Sequence, residues 1–293
     1  MFGLNFGHIS GVGSASQLRS LVSALKRNDD PVTLLMTLQE LVELLAMSTE
    51  ESFIGVDISE LVRLLGGVLR NHDANGSMSM STVNGNPDSM LLACRCLSNL
   101  LEALPLSGSI MCRHNVIEAL CEKLFEIEYI DLAEQALSTL EHLSVSFPDK
   151  ICEAGGMSAC LMFLDFFPTS VQKSALTCAV NCAKAITGDL FPQAKDSLQV
   201  LERTMFSDEQ SIASLSCTAL LYLVNTFHSS SDKIEELVSE SLLRRMIENA
   251  DCGGTSFTTA THTTHLRILA IVLHSSSTRA IQALDLDLVI VLK

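Results

Sequence analysis

Tryptophan is absent from this 293-residue sequence, and tyrosine occurs only twice and proline six times. Few prolines and only 15 glycines argue against a turn-rich β-sandwich or barrel and suit long helices. Basic residues are also few. Nineteen Lys and Arg stand against 34 Asp and Glu, a formal net charge of −15. Such a surface repels phosphate backbones, which excludes nucleic acid as a partner and mildly favours basic ones. No apolar run approaches the ~20 residues of a membrane span, so no membrane partner is expected. Met1 to Ser16 lacks the basic, apolar and small-residue succession of a secretory leader. The expectation is a protein of the nucleus or cytoplasm, in which ten cysteines stay reduced and act as small core hydrophobes.

Apolar residues make up 47% of the chain, enough for a large core. Their order is periodic. From Met90 to Leu104 they recur at three- and four-residue steps, and so they do in Asp131–Leu143, Val171–Ile186 and Ser214–Val224, each the mark of a half-buried helix. Superposing the four makes Asn99, Thr139, Asn181 and Tyr222 equivalent, with steps of 40, 42 and 41 residues. A shorter helix precedes the long one, as Val116–Leu120 and Gly156–Cys160 show. Glu40 and Ile271 extend the series once inserts near 71–88 and 251–264 are set aside. Pro105, Pro148 and Pro168 fall between helices, Gly155-Gly156 opens one, and Asp131 and Ser170 stand where N-caps are wanted. This period with several helices per unit predicts an all-α fold, an armadillo/HEAT-type right-handed α-solenoid (ARM-like superhelix) of about six repeats. Residues 1–15 are expected to be a flexible N-terminus, 16–293 the solenoid, and the two inserts mobile loops.

One such unit cannot bury its own apolar face, and stacking leaves a long groove lined by the third helix of each repeat. The expected groove residues are Arg95, Asn99, Gln135, Thr139, Thr177, Asn181 and Tyr222. An Asn amide at the ladder position either bonds an extended peptide backbone or serves a neighbouring helix. Four residues earlier stand Met36, Arg95, Gln135, Thr177 and Thr218. Nuclear-import adaptors carry Trp there, so a receptor of that type is not expected. Glu126, Glu128, Asp131 and Glu134 form an acidic cluster that either contacts a basic partner or stabilises the helix it begins.

Catalytic and cofactor motifs are not evident. Gly11-Val-Gly13 is too short for a phosphate loop and follows no strand. Cys94 and Cys96 point to different helix faces. Cys178 and Cys182 share a face without an evident second ligand pair, and Cys112 and His114 stand alone, so no metal site is expected. His262 and His265 fall in the Thr-rich insert, where a solvated loop is the expectation, and Cys252 is expected to be a free thiol in a loop. No catalytic residue, cofactor or metal is assigned.

Several stretches then resemble one family. These are Met90-Leu-Leu-Ala-Cys-Arg-Cys-Leu97, Glu102-Ala-Leu-Pro105, Glu128-Tyr-Ile-Asp-Leu-Ala-Glu-Gln-Ala-Leu137, Ala154-Gly-Gly156, Leu164-Asp-Phe-Phe167 and Val171-Gln-Lys-Ser-Ala-Leu176. They are similar to the N-terminal armadillo region of HECT ubiquitin ligases of the ubiquitin-fusion-degradation type, the KAKTUS and thyroid-receptor-interacting ligase family. The resemblance runs from about Ser16 to the C-terminus. It implies a scaffold that holds substrate proteins, including ubiquitin-bearing ones, for a HECT domain, which would itself engage ubiquitin and an E2. The HECT cysteine motif, Leu-Pro-x-x-x-Thr-Cys, surrounds none of the ten cysteines. The alternative is a stand-alone armadillo adaptor without a ubiquitin role. Leu284–Lys293 is apolar, with no breaker or cap. Its exposure would destabilise an array end, so the polypeptide is expected to continue or this end to dock on another chain.

Overall fold

A computed structural model describes residues 9–27, 30–70, 86–126, 128–250 and 259–286. Among the described residues there are sixteen α-helices and three short 3-10 turns, with no strand. The chain divides into two compact units, Met1–Phe147 and Pro148–Lys293.

The first unit holds α1 (Ile9–Arg27), α2 (Pro31–Ala46), a 3-10 turn (Glu50–Phe53), α3 (Ile58–Leu69), α4 (Pro87–Ala103), α5 (Ser107–Arg113), α6 (Val116–Lys123) and α7 (Ile130–Ser144). The long helices α2, α4 and α7 pack in succession, with α3 backing α4 and α6 backing α7. Position within this stack explains the composition of α4. Met90, Ala93, Cys94, Cys96, Leu97, Leu100 and Leu101 are all buried, because the helix has neighbours on three sides. Small residues there let the helices approach closely.

The second unit repeats the plan with α8 (Pro148–Glu153), α9 (Gly156–Met162), α10 (Thr169–Ala185), α11 (Phe191–Thr204), α12 (Gln210–Phe227), α13 (Ser231–Leu237), α14 (Glu240–Glu248), α15 (Thr259–Ser275) and α16 (Ser277–Asp285). Here α10, α12 and α15 are the successive long helices.

The turn before the second helix of a repeat needs a left-handed residue. Gly55 (φ +74°), Asn115 (φ +54°) and Gly155 (φ +73°) occupy it in three repeats. Glycine has no Cβ to clash there, and Asn tolerates that region better than most residues. Arg70 holds the Asn115 turn, donating from Nη1 to the carbonyls of His114 and Asn115 at 3.2 and 2.9 Å.

Three expectations are corrected. Residues 9–15, placed before the first helix in the first of them, are helical. They open α1, which is anchored by buried Leu18, Leu21 and Leu25 against α2. Residues 86–88 and 259–264 are not loop. Asn86 caps α4 by accepting from the Asp88 amide at 2.9 Å, and Pro87 occupies the first helical turn, where its missing N–H costs nothing. Residues 259–264 form the first turns of α15. The remainder of both inserts, 71–85 and 251–258, lies outside the described residues, as do 1–8 and 287–293. Finally, Asp131 and Ser170 do not cap. They lie inside the first turns of α7 and α10. Side-chain caps are supplied instead by Asp30, Asp57, Asn86, Ser239 and Ser276.

Candidate protein-binding surface

Each long helix leaves one narrow stripe uncovered by its neighbours. On α4 it is Arg95, Asn99 and Glu102, and on α2 it is Met36, Glu40 and Glu43. Spacings of three and four residues place each set on one face. On α7 the stripe holds Gln135, Ser138 and His142; on α10, Thr177, Asn181 and Lys184; on α12, Thr218, Tyr222 and Asn225. On α15, Arg267, Ile271 and His274 continue the pattern. Six of the seven expected groove residues are therefore accessible.

Thr139 is the exception. It is fully buried, its hydroxyl donates to the Gln135 carbonyl at 2.9 Å, and its oxygen lies 3.7 Å from Cys94 Sγ on α4. The α7 stripe passes through its neighbour Ser138. A hydroxyl satisfied by its own helix fits a helix–helix seam, so Thr139 is out of a partner's reach.

The two Asn residues differ. Asn99 Nδ2 donates to the Val42 carbonyl of α2 at 3.1 Å, so its amide ties two stacked helices together. Asn181 Oδ1 accepts from Lys184 Nζ at 3.2 Å, and the same ammonium lies 5.4 Å from the centre of the Tyr222 ring. In the second unit the stripe is thus a connected polar–aromatic surface across α10 and α12. In the first, His142 Nδ1 lies 3.9 Å from Glu102 Oε1. Glu102, His142 and Lys184 were not singled out from the sequence. Each stands three residues beyond a ladder position, and that regularity is visible in the sequence once the ladder is known.

The cysteines are core residues, but Cys178 and Cys182 have company that their spacing did not reveal. Cys160 of α9 places its Sγ 3.7 Å from that of Cys178. Cys152 of α8 donates to the Cys182 carbonyl at 3.5 Å. Three helices thus bring four buried thiols together, and the thiol of Cys182 is pushed well up by contact with Cys152 and Cys178 and by burial. Even so, no group of three ligands is arranged to hold a metal ion among the described residues. Burial raises the Cys94 thiol to about 12 and the Cys217 thiol to about 12.

His265 is not in a solvated loop. It is fully buried in α15, with Nε2 2.8 Å from the Met246 carbonyl of α14. Burial depresses its pKa. His262 lies one turn earlier, 3.0 Å from the Ala250 carbonyl. His265 thus braces α15 on α14, and His262 ties it to the segment just after α14. In the acidic cluster Glu126 is neutralised by Lys123 at 2.7 Å, leaving Glu128 just before α7 and Asp131 and Glu134 within it.

Among the described residues no helix is long and apolar enough to cross a membrane.

Among solved structures, the chain is similar to an engineered protein at a TM-score of 0.68 with 17% identity, covering 96% of this chain and 64% of that one. It is also similar to a computationally designed armadillo repeat protein for modular peptide recognition, at a TM-score of 0.62 with 15% identity, covering 87% of this chain and 99% of the other. The fold is therefore an armadillo-type α-solenoid. Residues 8–152 match the family described as E3 ubiquitin-protein ligase TRIP12-like, TPR repeats. A tetratricopeptide unit has two helices in about 34 residues; the three-helix unit seen here is the armadillo one. A probable ubiquitin fusion degradation protein of Schizosaccharomyces pombe is 32% identical over 276 residues, 92% of this chain and 16% of the relative. The E3 ubiquitin-protein ligase TRIP12 of Danio rerio is 33% identical over 239 residues, 81% of this chain and 11% of the relative. Ubiquitin fusion degradation protein 4 of Saccharomyces cerevisiae is 31% identical over 224 residues, 75% of this chain and 14% of the relative. The chain spans only 11% to 16% of the length of these relatives. The chain thus belongs to the TRIP12-like E3 ubiquitin-protein ligase family, and corresponds to its armadillo-repeat region.

Proposed function

We propose that this chain is a protein-binding scaffold of a HECT-type ubiquitin ligase, holding substrate proteins, including ubiquitin-bearing ones, for transfer of ubiquitin by a catalytic domain. The observation that carries the reading is the row of solvent-accessible stripes on successive long helices, exposed Arg95 and half-buried Asn99 beside Gln135 in one unit and half-buried Thr177 and Asn181 beside Tyr222 in the other. Regular polar stripes on stacked helices suit an extended chain or a protein surface, whereas an enclosed pocket would suit a small molecule. Two relatives are named for the degradation of ubiquitin fusions. One similar designed armadillo protein has the peptide (KR)4 bound. We place the work of the protein in the nucleus or cytoplasm, compartments that keep buried thiols such as those of Cys94 and Cys217 reduced.

The test is binding of the chain to a linear fusion of ubiquitin with a reporter protein, followed by fluorescence anisotropy. Substituting Arg95, Gln135, Thr177 and Asn181 together with Ala should weaken binding at least about tenfold, the usual scale for losing several interface contacts. Ala substitutions at exposed Glu118 and Glu122 of α6 should leave it unchanged. Equal binding by both variants would remove the stripes from the function.

A further inference from the structure

The turn from α6 into α7 exposes apolar side chains, with Phe125 47%, Tyr129 37% and Ile130 46% accessible. Tyr129, Ile130 and buried Leu132 of this segment line, together with Pro87 and Leu91 of α4, a cleft of about 280 Å³. Its lining mixes these apolar side chains with the exposed carboxylates of Asp88, Glu128 and Asp131, which give it an acidic rim. Nearby, Glu126 is held by Lys123, but among the described residues none of these three rim carboxylates has a cationic partner in an ion pair.

We propose that this cleft docks a lysine- or arginine-bearing segment of a partner protein, its aliphatic stem on Tyr129, Ile130 and Leu91 and its cation among Asp88, Glu128 and Asp131. Long basic side chains combine those two needs, lying along apolar surface while the charged head stays polar. The Tyr129 ring adds a face that attracts a cation. Charge decides between occupants. Residues 71–85, which adjoin the cleft in sequence, contain no Lys or Arg. A second copy of the chain would bring a formal charge of −15 to an acidic rim, and nucleic acid would be repelled in the same way. The cleft lies between the N-terminal ends of α4 and α7, ahead of Arg95 and Gln135 on the same helices, so it adds to the proposed row an acidic anchor point for a basic side chain. The inference rests on that reading of the row.

The experiment uses the 293-residue chain and a short fluorescein-labelled peptide of alternating lysine and serine, at about 0.1 M salt so that distant charges are screened. An acetyl-lysine version of the peptide is the neutral control. The variant Asp88→Asn, Glu128→Gln, Asp131→Asn should weaken binding about tenfold, as expected for losing three exposed charge contacts. A charge-matched variant, Asp149→Asn, Asp189→Asn, Asp232→Asn, should change it less than about twofold. Tyr129→Ala with Ile130→Ser, which leaves net charge untouched, should weaken it several-fold. Circular dichroism confirms that each variant is folded. The proposal is overturned if the two acidic variants weaken binding alike, since diffuse charge then explains it. It is also overturned if the acetylated peptide binds as well as the basic one, or if removing residues 72–84 raises affinity as a displaced occupant would. The probe is synthetic, so failure here leaves the ubiquitin-fusion assay standing. Loss of stripe dependence there, with cleft binding retained, would count against the scaffold reading alone.

Discussion

Contact with Cys152 and Cys178, together with burial, pushes the Cys182 thiol well up, and burial holds those of Cys94 and Cys217 at about 12. A thiol so placed is a poor nucleophile near neutral pH. The chain supplied with E1, E2 and ubiquitin should therefore form no reducible ubiquitin adduct on these cysteines. Non-reducing gel electrophoresis checks it, and a band abolished by Cys182→Ser or Cys217→Ser would contradict it. Charged residues make a second case. Glu60 accepts two bonds from Arg63, at 2.8 and 3.0 Å. With help from Lys26, this draws its pKa down from 4.5 to about 2. The folded state then binds the proton less readily than the unfolded chain. This contribution is complete above pH 4.5 and is lost as pH falls towards 2. Glu60→Gln should lower stability by about 0.5–1 kcal/mol near pH 7, a magnitude suited to a partly exposed pair. The gap should close towards pH 2.5, as read from thermal melts across the range; a gap that is constant with pH would dismiss the ion pair as the cause.

At the scale of the helical element, the turns between short helices set the repeat. Gly155 has φ +73° and open space where a Cβ would stand. Any penalty of Gly155→Ala is therefore backbone strain alone, about 1 kcal/mol. Gly155→Asn should lose less, as the left-handed Asn115 of the equivalent turn suggests. Gly108 illustrates the opposite cause. A Cβ there would meet Phe147 Cε2 at 2.6 Å. Gly108→Ala should destabilise by about 1–3 kcal/mol through overpacking, and Phe147→Leu in the same chain should recover part of it. Urea midpoints decide both. If Ala and Asn at position 155 are equivalent, the turn does not depend on a left-handed backbone. If Phe147→Leu returns nothing, the ring is not the obstacle at Gly108.

For the whole molecule, charge is the property that sequence alone settles. A formal charge of −15 predicts no mobility shift with duplex DNA at physiological salt, because counterion release needs a basic face. Micromolar binding to DNA would show a concealed basic surface. Each unit buries its long helices between neighbours by the same chemistry, and the small and branched apolar residues of α4 and α10 differ little in kind. The repeat therefore survives wide sequence divergence, as 17% identity at a TM-score of 0.68 illustrates.

Helix type, helix order and the 40- to 42-residue period could be read from the chain because they arise from local spacing: apolar residues three and four apart make an amphipathic helix wherever they occur. The ladder positions followed from the same arithmetic, and six of the seven residues chosen from it are accessible. Contacts between elements were not legible in this way. That Thr139 turns into a seam, that Cys152 and Cys160 reach Cys182 and Cys178, and that His265 braces α14 depend on how far helices rotate about their axes when they pack. A single residue step turns a side chain through about 100°, enough to exchange Ser138 for Thr139 at the surface. The cleft rim shows the same limit. Glu128 and Asp131 are neighbours in sequence, but Asp88 joins them only because α4 and α7 lie side by side; the repeat predicts that these helices stack, but not which of their side chains meet.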